Sequence, residues 1–486
     1  MTKAGFAAAD LGATSGRVIL GVLSDGRFEL RETRRFPTPT LTAEDGSLHW
    51  DLDRLLSEVT AGFEAALARY PELGSVGIDT WGVDYGRVGD GGSLLEPPYH
   101  YRDSRTDQVP ERFFEKVSAR ELYGRAGLQV MPFNTIFQLA AGAGAGWDRT
   151  ESVILLPDLF GYLLTGRRVA EVTIASTTGL LDTRRRQWCP ETLAEMERHY
   201  GLPLRRVLPE LVEPGTVLAG AASWGVPVVS VGGHDTASAV VTVPTQTEHF
   251  AYISSGTWSL VGLELDQPVL SEDSQRANFT NELGVDHSVR FLKNVMGLWV
   301  LTESMRTWER AGQPQELQAL LVAAAEEPAL GCVLDMSDER LIAPGDMPAR
   351  LAQMARETGQ RPPEGPAAVT RCILDSLALA YRRSIREACQ LSSRHVDVVH
   401  VVGGGCRNEL LCQLTAEATG LPVVAGPAEG TALGNLLVQA RAVGALGGGL
   451  MELREVARAS SQLARYQPGV LGLGQERWRA AEERLG

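Results

Sequence analysis

Lysine is almost missing from this chain: Lys3, Lys116 and Lys293 are the only three in 486 residues, and none follows a glycine. A Walker-type phosphate loop needs Gly-Lys followed by Ser or Thr, so that fold of nucleotide site is excluded. Cysteine is scarce too. The six, at 189, 332, 372, 389, 406 and 412, form no C-x-x-C pair and no metal spacing with a histidine. That removes zinc ribbons and disulfide scaffolds and leaves buried reduced thiols, the pattern of a cytoplasmic protein. A net positive charge is also lacking. At −14 the chain repels nucleic-acid phosphates in the mean field, and the run Arg184-Arg185-Arg186 reads as a solvated turn. Nor is there a membrane-spanning run. The uncharged stretches 126–147 and 214–233 are interrupted by Gln129, Pro132, Asn134 and Gln138, and by Pro214, Ser223 and Pro227, as buried elements with turns would be. No basic-apolar-small signal layout opens the chain.

What is present is the composition of a large globular protein, 44% apolar and 22% charged, long enough for more than one domain. Strand and helix patterns alternate in both halves. Apolar strands are expected at 5–11, 18–23 and 28–36. A helix capped by Asp51 or Asp53 follows at 53–69, and then a strand at 76–79. Three strands, a helix and a further strand begin a ribonuclease-H-like unit. The second half repeats the scheme with strands at 250–254 and 258–263, helices at 296–310 and 367–391, a strand at 396–402 and a helix at 408–419. His395 and His400, five apart on that last strand-like segment, read as structural. The polar, Pro-containing stretch 242–247 divides the halves into domains 1–243 and 244–486.

Two glycine-containing turns occupy matching places in those halves: Asp10-Leu11-Gly12-Ala13-Thr14-Ser15-Gly16-Arg17 and Ser254-Ser255-Gly256-Thr257-Trp258. Small and hydroxyl residues at such tips let backbone N–H groups approach an anion. Each alone is equally a plain hairpin. Their recurrence points to two loops gripping one polyphosphate. A third turn, Gly403-Gly404-Gly405-Cys406-Arg407-Asn408, joins a strand to a helix. It fails the dinucleotide fingerprint because Asn408 stands where the last glycine belongs, and it suits either tight packing or a nucleoside lying against backbone.

The chemistry centres on Val231-Gly232-Gly233-His234-Asp235-Thr236-Ala237-Ser238-Ala239, where an apolar strand ends in glycines at the start of a small-residue helix. Asp235 either caps that helix or acts as a general base, and strand C-termini at an interdomain crevice are where ligands bind in open α/β sheets. A helix N-terminus would hold it ionised. The polar-aromatic runs Asp79-Thr80-Trp81-Gly82-Val83-Asp84-Tyr85 and Tyr99-His100-Tyr101-Arg102-Asp103 suit a sugar, with flat faces for C–H groups and polar groups for hydroxyls, although Arg102 and Asp103 equally suit a structural ion pair.

Taken together, DLGATSGR, GIDTWGVDYG, YRDSRT, HDTASAV, ISSGTWSL, LKNVMGLW and VVGGGCRN resemble the FGGY carbohydrate kinases of the actin-like superfamily, and within them the branch acting on L-rhamnulose, from about residue 6 to residue 440. The resemblance implies an α/β fold of two ribonuclease-H-like domains with a cleft between them. It implies transfer of the ATP γ-phosphoryl group to the C1 hydroxyl of the ketose, with Mg²⁺. By motif position, Ala13, Thr14, Ser15, Gly16 and Arg17 would contact the ATP phosphates, Gly256 and Thr257 would hold them from the other domain, and Gly404 would face adenosine. Gly82, His234, Asp235, Thr236 and Asn294 would contact the ketose, Asp235 would accept its proton, and Asp10 would hold Mg²⁺ through water. Thr302 stands where the family tends to have a glutamine near ATP. Kinases of L-fuculose, L-ribulose, L-xylulose or glycerol would share these loops and Asp235. An actin-like sensor would keep the loops without needing the base.

Overall fold

The computed structural model describes residues 3–144, 146–220 and 224–485, so that Ala145 and residues 221–223, inside the two uncharged stretches, lie outside the described residues. Two compact units emerge. The first gathers Met1–Pro244, Glu264–Phe291 and Gly430–Ser461, and the second Thr245–Leu263, Leu292–Glu429 and Gln462–Gly486. The first crossing falls at Pro244/Thr245, but two later segments return to the first unit, so a single cut at 243/244 does not separate them.

In the first unit, β1 (Ala4–Leu11), β2 (Ser15–Ser24) and β3 (Arg27–Pro37) form an antiparallel meander. β4 (Leu73–Thr80) lies parallel to β1 on the other side, followed by β6 (Pro227–Ser230) and then β5 (Thr216–Gly220), giving the order β5-β6-β4-β1-β2-β3. β1 is buried from Gly5 onward, as expected of a strand covered on both faces. Helix α1 (Leu52–Arg69) covers one face through Leu52, Leu55, Val59, Gly62, Phe63 and Ala66, at helical spacing. Asp51 caps it, accepting from Arg54 N at 3.2 Å. A Cβ on Gly62 would sit 2.6 Å from Val18 Cβ, so this glycine sets how closely helix and sheet approach.

The opposite face is closed by a helix far along the chain, Gly430–Ala442, whose Leu433, Leu436 and Leu437 join the cluster of Phe6, Ala8, Ile19 and Val229. Its Gln439 donates to the Ala7 carbonyl at 2.9 Å. The sheet needs that cover, because burying each large apolar side chain stabilises the fold by about 1.5–3 kcal/mol. This is why the chain returns to its first unit so late.

In the second unit β7 (Phe250–Ser255) pairs antiparallel with β8 (Trp258–Leu265). β7 also pairs parallel with the strand Val398–Val402, which in turn pairs parallel with Val423–Ala425. That is the arrangement of β2, β1, β4 and β6, strand for strand, and the duplication expected from the two glycine turns is present in topology. The expected helix at 296–310 begins later, at Trp299, because the preceding strand runs Val289–Met296. Gly297 makes the break: a Cβ there would lie 2.6 Å from the Trp258 carbonyl carbon.

Of the two histidines, His400 is buried in its strand while His395 lies outside it, exposed and paired with Asp397 at 2.7 Å. All six cysteines are unpaired. Among the described residues no helix is long and apolar enough to cross a membrane.

Candidate active site

β6 ends at Ser230, and the chain turns through Gly232 and Gly233 into helix α2 (Asp235–Val241). A buried carboxylate holds this turn. Glu171 accepts from Gly233 N at 2.9 Å, from Thr173 N and Oγ1 at 2.8 and 2.5 Å, and from Ile174 N at 3.2 Å. Thr173 Oγ1 in turn accepts from His234 N at 3.3 Å. Burial pushes the Glu171 carboxyl up to about 7 against the pull of these donors. Beneath the turn, α2 packs tightly on the helix Gly430–Ala442, where Gly434 leaves room for the Ser238 carbonyl.

Position 234, not 235, caps α2, and no side chain bonds the cap. Asp235 is the first helical residue and is 31% exposed at its side chain, so the capping role does not account for it. Its Oδ1 accepts from Thr236 Oγ1 at 3.1 Å and lies 3.5 Å from His234 Nε2. Burial raises its carboxyl above the ordinary Asp value, the His234 ring opposes this and the Asp10 charge adds to it. The net direction is upward even at a helix N-terminus, the position expected to favour the ionised form. Desolvation outweighs the partial charge of a single turn. Gly82 lies beside the histidine: a Cβ on it would meet the Thr177 side chain at 3.4 Å and His234 Nε2 at 3.5 Å. Its bareness keeps a gap open between those two side chains. Gly82, His234, Asp235 and Thr236 are thus brought together as the motifs suggested.

Asp10 and Asp79 are register partners on the adjacent parallel strands β1 and β4, so their side chains share a face of the sheet. Arg17, opposite Asp10 on β2, donates to Asp10 Oδ2 through Nε at 3.0 Å and Nη2 at 2.8 Å. Asp79 is buried. One oxygen accepts from Asn435 Nδ2 at 2.6 Å, and Oδ1 has no hydrogen-bond partner. Burial, and then the Asp10 charge, push its carboxyl well above the usual range, with a smaller push from Asp235. Three acidic groups, two near the ends of β1 and β4 and one at the start of α2, therefore share one field. Among the described residues no three His, Cys, Asp or Glu side chains form a ready ligand cluster, and this group offers carboxylate oxygens only. The first glycine turn, Gly12-Ala13-Thr14, is a tight hairpin closed by Gly12 N donating to Ser15 O at 3.0 Å, with Thr14 and Ser15 exposed and Gly16 buried against Phe36.

In the second unit the corresponding turn, Gly256-Thr257, is closed by Gly256 N donating to Trp258 O at 2.8 Å. It is also held by Leu298 N and Trp299 N, which donate to the Gly256 and Thr257 carbonyls. The glycine turn 403–405 packs directly on it: Gly403 adopts φ 84°, and its absent Cβ would lie 3.0 Å from Ser255 O. Gly404 is exposed, with open space where a Cβ would go. The second turn and Gly404 are thus neighbours. Asn294 lies in the strand Val289–Met296. Thr302 is exposed on its helix and returns its hydroxyl to Leu298 O at 3.0 Å.

The aromatic run is a correction. Trp81, Tyr85 and Tyr101 are all buried, and Trp81 lies against Trp50 with ring centroids 4.1 Å apart. Asp84 accepts from both indoles, at 2.7 and 2.8 Å, and from Gln138 Nε2 at 2.9 Å, and burial lifts its carboxyl to about 6. Asp103 bonds the Leu48 and Arg105 backbone N–H groups. These residues brace the fold beside Gly82; their flat faces are covered by one another and offer little to a sugar. Glu171, which holds the turn, and Glu282 and Arg290, which lie beside His234, were not singled out from sequence. The visible signal was Arg290, a cation in the strand Val289–Met296, which also carries Lys293.

Solved structures share this architecture at low identity. Gluconate kinase from Lactobacillus acidophilus superposes with TM-score 0.77 over 99% of this chain and 96% of that one, at 14% identity. Plasmodium falciparum glycerol kinase with ADP does so with TM-score 0.77, over 99% and 98%, at 13% identity. Sequence relatives are nearer. A rhamnulokinase of Bacteroides thetaiotaomicron is 40% identical over 96% of both chains, and one of Bacillus subtilis 34% identical over 95% of both. Residues 6–242 match the N-terminal domain, and residues 251–443 the C-terminal domain, of the FGGY family of carbohydrate kinases. With both halves matched and nearly the whole length aligned, this chain belongs to the FGGY family of carbohydrate kinases.

Proposed function

We propose that this chain transfers the γ-phosphoryl group of ATP to the C1 hydroxyl of L-rhamnulose, giving L-rhamnulose 1-phosphate and ADP in the catabolism of L-rhamnose in the cytoplasm. The observation that carries this reading is the 40% identity over 96% of both chains to a relative named rhamnulokinase. The placement of Asp235, partly exposed and not engaged in capping its helix, agrees with it, and six unpaired cysteines suit a reducing compartment.

The ketose contacts are Gly82, His234, Asp235, Thr236 and Asn294. Asp235 takes the C1 hydroxyl proton as the oxygen attacks the γ-phosphorus and the bond to the ADP oxygen breaks. A carboxyl raised above its ordinary value suits that task, since a base nearer neutrality holds the accepted proton better. Ala13, Thr14, Ser15, Gly16 and Arg17, and Gly256 and Thr257, contact the ATP phosphates, and Gly404 leaves space for adenosine. Phosphoryl transfer has little covalent chemistry for a protein to perform, so positioning and charge stabilisation carry most of the catalysis.

Mg²⁺ fits the carboxylate group: it is bound through one or two carboxylates plus phosphate oxygens and keeps several waters. Asp10, with Asp79 and its unpartnered Oδ1 beside it, would hold it, and the ion would neutralise charge between the phosphates. A coupled assay of ADP release over ketoses and polyols tests the reading. L-rhamnulose should give the highest kcat/KM. A clearly higher value with L-fuculose, L-ribulose, L-xylulose or glycerol would move the chain to another branch of the family, and no turnover with any of them would leave only a sensor.

A further inference from the structure

Ser75, Gly77 and Asp79 alternate along β4 and share one face of its sheet, where they meet two amide side chains of the helix Gly430–Ala442. The four polar residues involved, Ser75, Asp79, Asn435 and Gln439, are all 0% exposed. Ser75 Oγ donates to Gln439 Oε1 at 2.8 Å. Gln439 Nε2 donates to the Ala7 carbonyl at 2.9 Å and to Asn435 Oδ1 at 2.6 Å, and Asn435 Nδ2 donates to Asp79 Oδ2 at 2.6 Å. The direction of this chain is fixed. A carbonyl only accepts, so the Ala7 oxygen decides which end of the Gln439 amide is nitrogen; Asn435 Oδ1 must then accept, and its nitrogen is left to face Asp79. Gly77 makes room for both amides, since a Cβ there would lie 2.6 Å from Asn435 Oδ1 and 2.9 Å from Gln439 Nε2.

The helix already packs on the sheet through Leu433, Leu436 and Leu437, and exchanging both partners of a buried hydrogen bond for apolar groups of the same shape is nearly neutral for stability. A buried chain of amides in this place therefore calls for an account other than stability. It is tied to β1 through Ala7 and to β4 through Ser75, the two strands that carry Asp10 and Asp79, and it ends on Asp79 itself. With Oδ2 taken by Asn435, Asp79 keeps Oδ1 without a hydrogen-bond partner, on the strand beside Asp10. We propose that Asn435 and Gln439 are positioning residues: they hold the Asp79 carboxyl with Oδ2 occupied and Oδ1 free, so that Asp79 adds an oxygen to the hold of Asp10 on Mg²⁺. This rests on the reading that Asp10 and Asp79 hold that ion.

Mn²⁺ serves as the probe, its binding to the enzyme–ADP complex read from the EPR signal of the free ion. Asn435→Leu keeps the bulk at that position without the donor, and Gln439→Met keeps the length of its side chain without the amide that orients Asn435. In each, Mn²⁺ affinity should fall about 10- to 100-fold, the range usual when a group bonded to a metal ligand is lost, with the melting temperature measured alongside. A merely structural role for the amides would lower the melting temperature and leave Mn²⁺ affinity unchanged in the folded variants, and that result would overturn the proposal. Should neither variant fold, Asp79→Asn decides, because its amide oxygen can still accept from Asn435: a like loss of Mn²⁺ affinity supports the proposal and an unchanged affinity overturns it. Failure of the magnesium reading looks different. Asp10→Asn would then bind Mn²⁺ as the wild type does, whereas failure of the amides' role alone would leave Asp10→Asn weakened and the two amide variants normal.

Discussion

Asp235 begins its helix yet caps nothing, and the substitution Asp235→Asn separates its two candidate roles. The amide fits the same space, so the melting temperature should hold. Turnover should fall about 10²- to 10⁴-fold, the usual contribution of a positioned general base. A stable, fully active variant would remove Asp235 from the chemistry. The same carboxylate sets the pH response. It works only when ionised, and burial raises its carboxyl, so kcat should be lost as pH falls through a midpoint above that of an ordinary aspartate. A kcat profile flat down to the ordinary carboxylate range would contradict this. At Gly404 the structure sharpens the expectation. Its φ is ordinary and the space above it is open, so Gly404→Val adds a branched side chain without straining the backbone. ATP affinity should drop in calorimetry while ketose affinity is kept, and equal ATP binding would remove Gly404 from the nucleotide site.

At the scale of elements, the turn that presents His234 and Asp235 depends on groups more than sixty residues away in sequence. Glu171→Ala would leave the N–H groups of Thr173, Ile174 and Gly233 without their acceptor, at about 1–3 kcal/mol for a buried group left unpaired. The expected outcome is a lowered melting temperature together with a loss of kcat that persists at temperatures where the variant is fully folded. Normal kcat in the folded variant would mean the turn holds without Glu171. Gly434→Val would drive a side chain into the Ser238 carbonyl and should cost about 1–3 kcal/mol in denaturant unfolding, as overpacking does. Unaltered stability would mean the two helices have room to part.

These same elements show what sequence can and cannot reveal. β1, α1 and the paired glycine turns were legible because their local patterns, a continuous apolar run, a capped helical stripe and small residues at a strand end, are fixed by short-range geometry. Glu171 and Glu282 were not, since a single acid in a strand-like stretch reads the same whether it is solvated or buried against groups elsewhere in the sequence. Trp81 and Tyr101 were misread for the converse reason. Composition shows that flat rings are present but not that Trp50 and Phe133 already cover them.

At the scale of the whole molecule, two units of like topology each carry a glycine turn after their first strand, and their segments alternate along the sequence. The helix Gly430–Ala442 packs in the first unit because that sheet has an open face, which no local pattern in 430–442 records. The resemblance to a ketose kinase was legible in motifs spread through both halves. The central claim is that the chain phosphorylates the C1 hydroxyl of L-rhamnulose, and the most direct measurement is ¹H-coupled ³¹P NMR of the product formed from L-rhamnulose and Mg-ATP. The account predicts a new phosphomonoester signal split by the two protons on C1, appearing in step with ADP and absent when Asp235→Asn replaces the wild type. A phosphate coupled to a single carbon-bound proton, which places it on another hydroxyl, or ATP consumed without any sugar phosphate, would contradict it.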